Sequence, residues 1–201
     1  MRTQVSFVAL LSVSLATVVH ADDWQPEPGF KGLFNGRDIS GWCFRASVDR
    51  TSHRVGDVTE RLDGKTESSD AGRYSAREGI LTVKFPEAQD RLTGQIYTVE
   101  EFPRDFTLKL EFRAGVNADS GIFIRKPQLQ CRDYLVAGPY KALKKYKPQD
   151  WNQIEVVVKG GVARCTCNGE VLEAELTVPE TGPIGLEGDR GQMEYRRIQI
   201  K

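Results

Sequence analysis

The sequence has no excess of charge of either sign and very few histidines. Its 28 Lys and Arg residues balance 28 Asp and Glu residues, so it lacks the net positive charge that favours nucleic acid as a partner. Its two histidines, His20 and His53, are too few for a zinc site of the usual kind. No Gly-x-Ser-x-Gly elbow, phosphate-binding glycine loop or Cys–His pairing is present, so serine, nucleotide and thiol chemistry have no support.

Long hydrophobic runs are also missing, except at the amino terminus. Arg2 is followed by an apolar run over 5–19, and small residues then precede Asp22. This order is typical of a secretory signal peptide, and the run is shorter than the roughly 20 residues that span a bilayer. We predict a signal peptide over 1–21, cleaved after Ala21, and one domain over 22–201. The product would be secreted or periplasmic, without an integral membrane segment.

The four cysteines are Cys43, Cys131, Cys165 and Cys167. In an exported chain this even number permits two disulfides in three pairings, among which the sequence does not choose. Cys165 and Cys167 are two residues apart in a strand-like segment, so both side chains point to the same face. We expect them to be buried thiols that face the core.

Short segments with an alternating apolar pattern make up most of the chain. In 106–113, every second residue is Phe or Leu and the residues between them are polar, which is typical of a strand buried on one face. Asn168-Gly169 is a strong hairpin signal. Residues 45–74 are polar and aperiodic, and we predict a long loop there. Other strand-like segments are 80–85, 95–99, 121–125, 129–133, 151–159, 162–168, 184–187 and 194–200. About ten strands without a helical period predict an all-β, two-sheet sandwich or jelly roll.

Several motifs together resemble the 3-keto-disaccharide hydrolase domain family, over residues 29–201. Residues 29–42 are similar to the opening of that family, and Asp119-Ser-Gly-Ile-Phe-Ile-Arg125 is similar to its Asn-Ser-Gly-hydrophobic-Phe-x-Arg segment. Gln130 and Asp133 fall where the family has Gln and Asp. Later landmarks match at 138–140, 150–152, 168–169, 184–186 and 195–198. The resemblance implies a concanavalin-like jelly roll with a sugar site on its concave sheet, and action on glycosides whose glucose ring is oxidised at C3.

Two departures from the family pattern affect groups that could move protons. Relatives usually carry Glu where this chain has Gln128, and they commonly have His in the loop that here reads Glu187-Gly-Asp-Arg-Gly191. A 3-keto sugar has an acidic C2 hydrogen, so its cleavage requires a base near C2, a cation or metal for the enolate oxygen and an acid for the leaving group. The resemblance leaves open which residues supply these groups here.

We assign four residues to this chemistry as hypotheses. Arg125 would stabilise the enolate or bind sugar oxygens, because alternation places it on the same face as Phe123, and its replacement should abolish turnover with little effect on stability. Asp133, Glu187 and Asp189 would supply acid–base or metal-binding oxygens. In a flexible glycine turn, Glu187 and Asp189 would instead be solvated. The sequence assigns no definite cofactor and leaves a metal open, which would be a hard, oxygen-liganded divalent cation such as Ca²⁺ or Mg²⁺.

Further residues are candidates for substrate binding. Tyr140, in a loop, could stack on a pyranose face, while Trp42 and Trp151 are expected in the core. Asn152 could satisfy backbone groups or contact ligand. The complete predicted substrate-binding set is Gln128, Gln130, Tyr140 and Lys141.

The leading interpretation is an exported enzyme that cleaves or hydrates 3-keto glycosides through removal of the C2 proton, with a small carbohydrate as its partner. One alternative is a non-catalytic carbohydrate-binding module on the same fold. Another is an ordinary concanavalin-like glycosidase, which needs paired carboxylates, and only Glu187-Gly-Asp189 approaches that pattern.

Overall fold

The computed structural model describes residues 24–48, 54–84, 94–133 and 138–201. The signal peptide predicted over 1–21 lies outside these ranges and stays a prediction. In the described part of the chain, no helix is long and apolar enough to cross a membrane.

These ranges contain fourteen strands, one 3-10 helix and no α-helix, which confirms the predicted all-β class. The strands are β1 (Lys31–Gly32), β2 (Trp42–Arg45), β3 (Val58–Arg61), β4 (Tyr74–Arg77), β5 (Ile80–Val83), β6 (Gly94–Thr98), β7 (Phe106–Ala114), β8 (Asp119–Ile124), β9 (Gln128–Arg132), β10 (Asn152–Lys159), β11 (Val162–Cys167), β12 (Glu170–Thr177), β13 (Ile184–Gly188) and β14 (Met193–Ile200); the 3-10 helix is Pro139–Ala142.

The strands form two antiparallel sheets around one core. An eight-stranded sheet has the order β12-β11-β10-β7-β14-β5-β4, with β1 beside β14, and a six-stranded sheet has the order β3-β2-β6-β13-β8-β9. The alternation in β7 is as predicted: Phe106, Leu108, Leu110 and Phe112 are buried, and the residues between them are partly exposed. Burial of each such side chain contributes about 1.5–3 kcal/mol to folding. The hydrophobic pattern therefore orients the eight-stranded sheet.

All four cysteines are buried and free. Cys165 and Cys167 face the core, as predicted, and burial raises the pKa of each of these thiols to about 12. Cys131, on β9, belongs to the same core cluster. The cysteines therefore act as small core side chains, without a disulfide.

The prediction of a long loop over 45–74 was partly wrong. It contains β3, which pairs with β2, and it ends as β4 begins. Short strands with polar side chains carry little periodicity, and β3 has only four residues, all at least partly exposed. The pairing with β2 therefore decides its conformation.

The predictions for Trp42, Asn152 and Trp151 have different outcomes. Trp42 is fully buried, as predicted. Asn152 is also fully buried, and its side-chain amide donates to the backbone oxygens of Lys147 and Asp150, so it satisfies backbone groups. The core prediction for Trp151 was wrong, because the ring is partly exposed between the guanidinium groups of Arg113 and Arg196. Cation–π contacts hold the indole at the surface.

Candidate active site

A hollow of about 680 Å³ lies on the outer face of the six-stranded sheet. The antiparallel register of β13 pairs Gly185 with Tyr97 of β6 and with Phe123 of β8, and it pairs Glu187 with Gln95. Side chains on one face of a strand recur every second residue. The floor of the hollow therefore brings together two aromatic rings and one carboxylate.

Gly185 makes room for the aromatic part of this floor. A Cβ atom at this position would lie 2.5 Å from Cε1 of Tyr97 and 3.0 Å from Cβ of Phe123. The two rings are tilted at 57°, with their centroids 6.0 Å apart. They give the hollow apolar ring surface of the kind that packs against a sugar.

Glu187 is the acidic residue of the hollow, and its exposed fraction is only 8%. Its Oε1 accepts a hydrogen bond from Nε2 of Gln95 at 3.3 Å, and its Oε2 accepts one from Nε2 of Gln128. Burial raises the pKa of Glu187, whereas the two amides partly offset that rise by stabilising the carboxylate. The result is a carboxylate that binds a proton more readily than an exposed one.

The contact between Gln128 and Glu187 depends on the absence of a side chain at Gly121. This glycine lies on β8, between β13 and β9, and a Cβ atom there would be 2.5 Å from Cγ of Gln128. The Gln128 side chain therefore passes over Gly121 to reach Glu187. At position 128, where relatives usually carry Glu, this chain therefore has an amide that donates a hydrogen bond.

A cluster of charges lies beside Glu187. Asp119 accepts a hydrogen bond from Nε of Arg132 at 2.7 Å and forms an ion pair with Arg190 at 3.5 Å. The negative charges of Asp189 and Asp119 contribute to the raised pKa of Glu187. β13 continues through Gly188, and Asp189 follows the strand without lining the hollow.

The described residues contain no group of three His, Cys, Asp or Glu side chains that could hold a metal ion. Asp133, Glu187 and Asp189 therefore do not form a joint site for the oxygen-liganded cation considered above.

The profile of the 3-keto-alpha-glucoside-1,2-lyase-like domain matches residues 29–201. The chain belongs to this family. No curated protein matches the sequence. Its membership and fold make the chain a glycosyl hydrolase-like domain with the jelly-roll fold of carbohydrate-active proteins.

Solved structures share the fold at low sequence identity. A candidate glycosyl hydrolase from Parabacteroides distasonis is 16% identical, with a TM-score of 0.61, over 86% of this chain and 93% of that chain. A second one from this organism is 19% identical, with a TM-score of 0.51, over 68% and 93%. The β-glucanase of Bacillus licheniformis is 9% identical, with a TM-score of 0.51, over 85% and 95%. These similarities confirm the predicted concanavalin-like jelly roll.

Arg125, at the end of the family's Ser-Gly-x-Phe-x-Arg segment, does not reach the hollow. β8 ends at Ile124, and Arg125 has a positive φ of 64°, which breaks the alternation and turns its side chain away from the face of Phe123. The guanidinium donates to the carbonyl oxygens of Pro179 and Arg104, each at 2.6 Å, and its exposed fraction is 2%. The prediction that Arg125 and Phe123 share a face was therefore wrong.

Two other predicted residues have structural contacts outside the hollow. Tyr140 is fully buried in the 3-10 helix, and its hydroxyl donates to the carbonyl oxygen of Gln130 at 2.7 Å, so the expectation of a ligand contact in a loop was wrong. Asp133 accepts hydrogen bonds from the backbone N–H of Asn117, at 2.8 Å, and from the amide of Gln149. Both residues tie loops to the end of β9.

The remaining predicted residues lie near the hollow or away from it. Gln130 lies on β9, on the same face as Gln128, but does not line the hollow. Lys141 is exposed on the 3-10 helix, also outside the lining.

The lining residues that sequence reasoning missed include Gln95, Tyr97 and Lys126. The first two carried a usable signal, because they alternate with the buried Ile96 in a predicted strand.

The Gly121→Ala variant should raise the pKa of Glu187. The added methyl group displaces the flexible Gln128 side chain, and the carboxylate loses a hydrogen bond that favours its ionised form. Titration of the Glu187 carboxyl by ¹³C NMR measures the shift. Gln128→Met, which lacks the donor, should move the titration in the same direction, and an unchanged midpoint in both variants would contradict the coupling.

The Arg125→Ala variant should destabilise the fold. It leaves two carbonyl oxygens without their donor, at a cost of about 1–3 kcal/mol each. For a domain of this size, Tm should fall by roughly 2–4 °C for each kcal/mol. Thermal unfolding followed by circular dichroism measures the change, with exposed Arg164→Ala as the matched control. Equal melting of both variants would show that the buried contacts contribute nothing.

Proposed function

We propose that this protein is an exported enzyme that breaks the C1 linkage of 3-keto glycosides, with Glu187 as the base that removes the C2 proton. The observation that carries the proposal is a single, nearly buried carboxylate of raised pKa beside an aromatic floor. The family of the chain and its jelly-roll fold support the same substrate class.

The reaction starts with the transfer of the C2 proton to Glu187. The electron pair of the C2–H bond forms a C2=C3 double bond, and the C3 carbonyl oxygen becomes an enolate. When the C3 carbonyl re-forms, a C1=C2 double bond forms, the C1–O bond breaks and the leaving oxygen takes up a proton. Addition of water across C1=C2 gives the free 3-keto hexose and returns the base to its starting state.

The environment of Glu187 suits this task. A placed base contributes typically 10²–10⁴-fold to the rate and is most effective when its pKa lies near the working pH. Burial shifts the pKa of Glu187 upwards in that direction, while Gln95 and Gln128 keep the ionised form accessible.

Tyr97 is the best-placed acid for the leaving oxygen. Burial, together with the negative charge of Glu187, raises the pKa of Tyr97 to about 12, so the phenol keeps its proton at neutral pH. Its ring lines the same hollow as Glu187. The pair therefore combines a group that takes a proton with one that gives a proton.

The alternatives fit this site less well. A glycosidase needs two carboxylates about 5–9.5 Å apart across the scissile bond, but Glu187 is the one acid among the described residues that line the hollow, and nearby Asp119 is paired with Arg132. A binding module could use the aromatic floor, but it has no need to bury a carboxylate at a cost in stability.

The Glu187→Gln variant should lose about 10²–10⁴-fold in kcat, because the amide cannot take up the C2 proton. Mass spectrometry of the products from a panel of 3-keto disaccharides measures turnover, and isothermal titration measures retained binding. Glu173→Gln, an exposed change on β12, is the matched control. If the wild-type protein binds the sugars but does not turn them over, a binding module is favoured. If Glu187→Gln retains full turnover, Glu187 is not the base.

The Tyr97→Phe variant should slow cleavage in a way that depends on the leaving group. The loss should be about 10²-fold for a sugar leaving group, which needs a proton. It should be much smaller for a 3-keto nitrophenyl glucoside, whose leaving group departs as an anion. Steady-state kcat values for the two substrates test this, and equal losses for both would contradict an acid role for Tyr97.

A further inference from the structure

We propose that Lys126 is the cationic group that stabilises the enolate oxygen, in the place that the sequence assigned to Arg125. This inference rests on the proposed function and names a further residue for it.

The hollow contains few cationic side chains. Among the described residues that line it, Arg45 and Lys126 are the basic ones. Arg45 has a side-chain exposed fraction of 5%, and its guanidinium is already bound to Glu101 at 2.8 Å and to the carbonyl oxygens of Gly56, Thr98 and Val99, each at 3.2 Å. These contacts hold Arg45 in the wall of the hollow and engage both terminal nitrogens of its guanidinium, while its Nε is buried without a partner among the described residues.

Lys126 is much less engaged. Its Nζ donates to the carbonyl oxygen of Arg54 at 3.3 Å, and no carboxylate of the described residues pairs with it. An ammonium group on a four-carbon stem can exchange one weak neutral contact for a developing anion at little cost. Within the described ranges, Lys126 is thus a cation in the hollow that forms no ion pair.

The turn that follows β8 explains why Lys126 faces the hollow although its neighbour does not. The positive φ of Arg125 turns that side chain towards Pro179 and Arg104. The backbone N–H of Lys126 then closes a tight turn on the carbonyl oxygen of Ile124 at 2.7 Å. One buried arginine therefore anchors the turn that presents the next residue.

The sheet register separates the base and the cation along one direction. Gly185 of β13 is opposite Phe123 of β8, so Glu187 is opposite Gly121. Gly121 lies two residues before Phe123 in the chain, and Lys126 lies three residues after Phe123. Five residues at about 3.3 Å each along β8, and one spacing of about 4.8 Å between strands, put the two backbone positions at most roughly 17 Å apart. Glu187 and Lys126 both line the hollow, and Phe123 of the aromatic floor lies between their positions along β8. A hexose ring on the floor would have its C2 proton towards Glu187 and its C3 oxygen towards Lys126.

The test uses the full-length mature protein and a 3-keto disaccharide in D₂O. Exchange of the C2 hydrogen, followed by NMR, measures enolate formation separately from cleavage. Lys126→Met should lower the rates of both exchange and cleavage by about 10²–10³-fold, with a small change in KM, because charge stabilisation at the enolate is lost. Lys126→Arg should recover part of both rates. Lys159→Met, an exposed change on β10, is the matched control, and all variants should melt like the wild type.

Two results would overturn the inference while the proposed function stands: unchanged exchange in Lys126→Met, or an increase in KM with kcat unchanged, which is the behaviour of a group that only binds sugar. A wild-type protein that neither exchanges nor cleaves the substrate would overturn the proposed function and this inference with it.

Discussion

The cost of removing a carboxylate from water constrains the whole outer face of the six-stranded sheet. Glu187 is tolerated at 8% exposure because two amide groups donate to its oxygens. One amide comes from the neighbouring strand and the other crosses a strand that has a glycine at that point. The presence of Gly121 and of the two glutamines, Gln95 and Gln128, follows from this requirement.

Much of the fold could be predicted from the sequence, because strand alternation is a local property. The pattern of 106–113 predicts both the strand and its buried face, and the same rule makes Cys165 and Cys167 core residues. The polar β3 escaped prediction, since its strand conformation comes from pairing with β2 and not from its own side chains.

The candidate site was less predictable, because it depends on register and on backbone angles. Glu187 could be named from its motif, but its partners Gln95 and Gln128 are 92 and 59 residues away in the chain. Arg125 was misplaced because a single positive φ ends the alternation on which its assignment rested. Tyr140 was misplaced because a loop sequence does not reveal that a 3-10 turn folds the ring into the core.

The glycines of the floor have a consequence for divergence within the family. The side chains of Tyr97 and Phe123 cover Gly185, and the side chain of Gln128 covers Gly121. Neighbouring strands therefore supply the side chains that form the surface at these two glycines. Exchanging one of these overlying side chains reshapes the cavity and leaves the main chain and its ladder of hydrogen bonds in place. The shape of the cavity can therefore change through single substitutions, independently of the architecture that supports it.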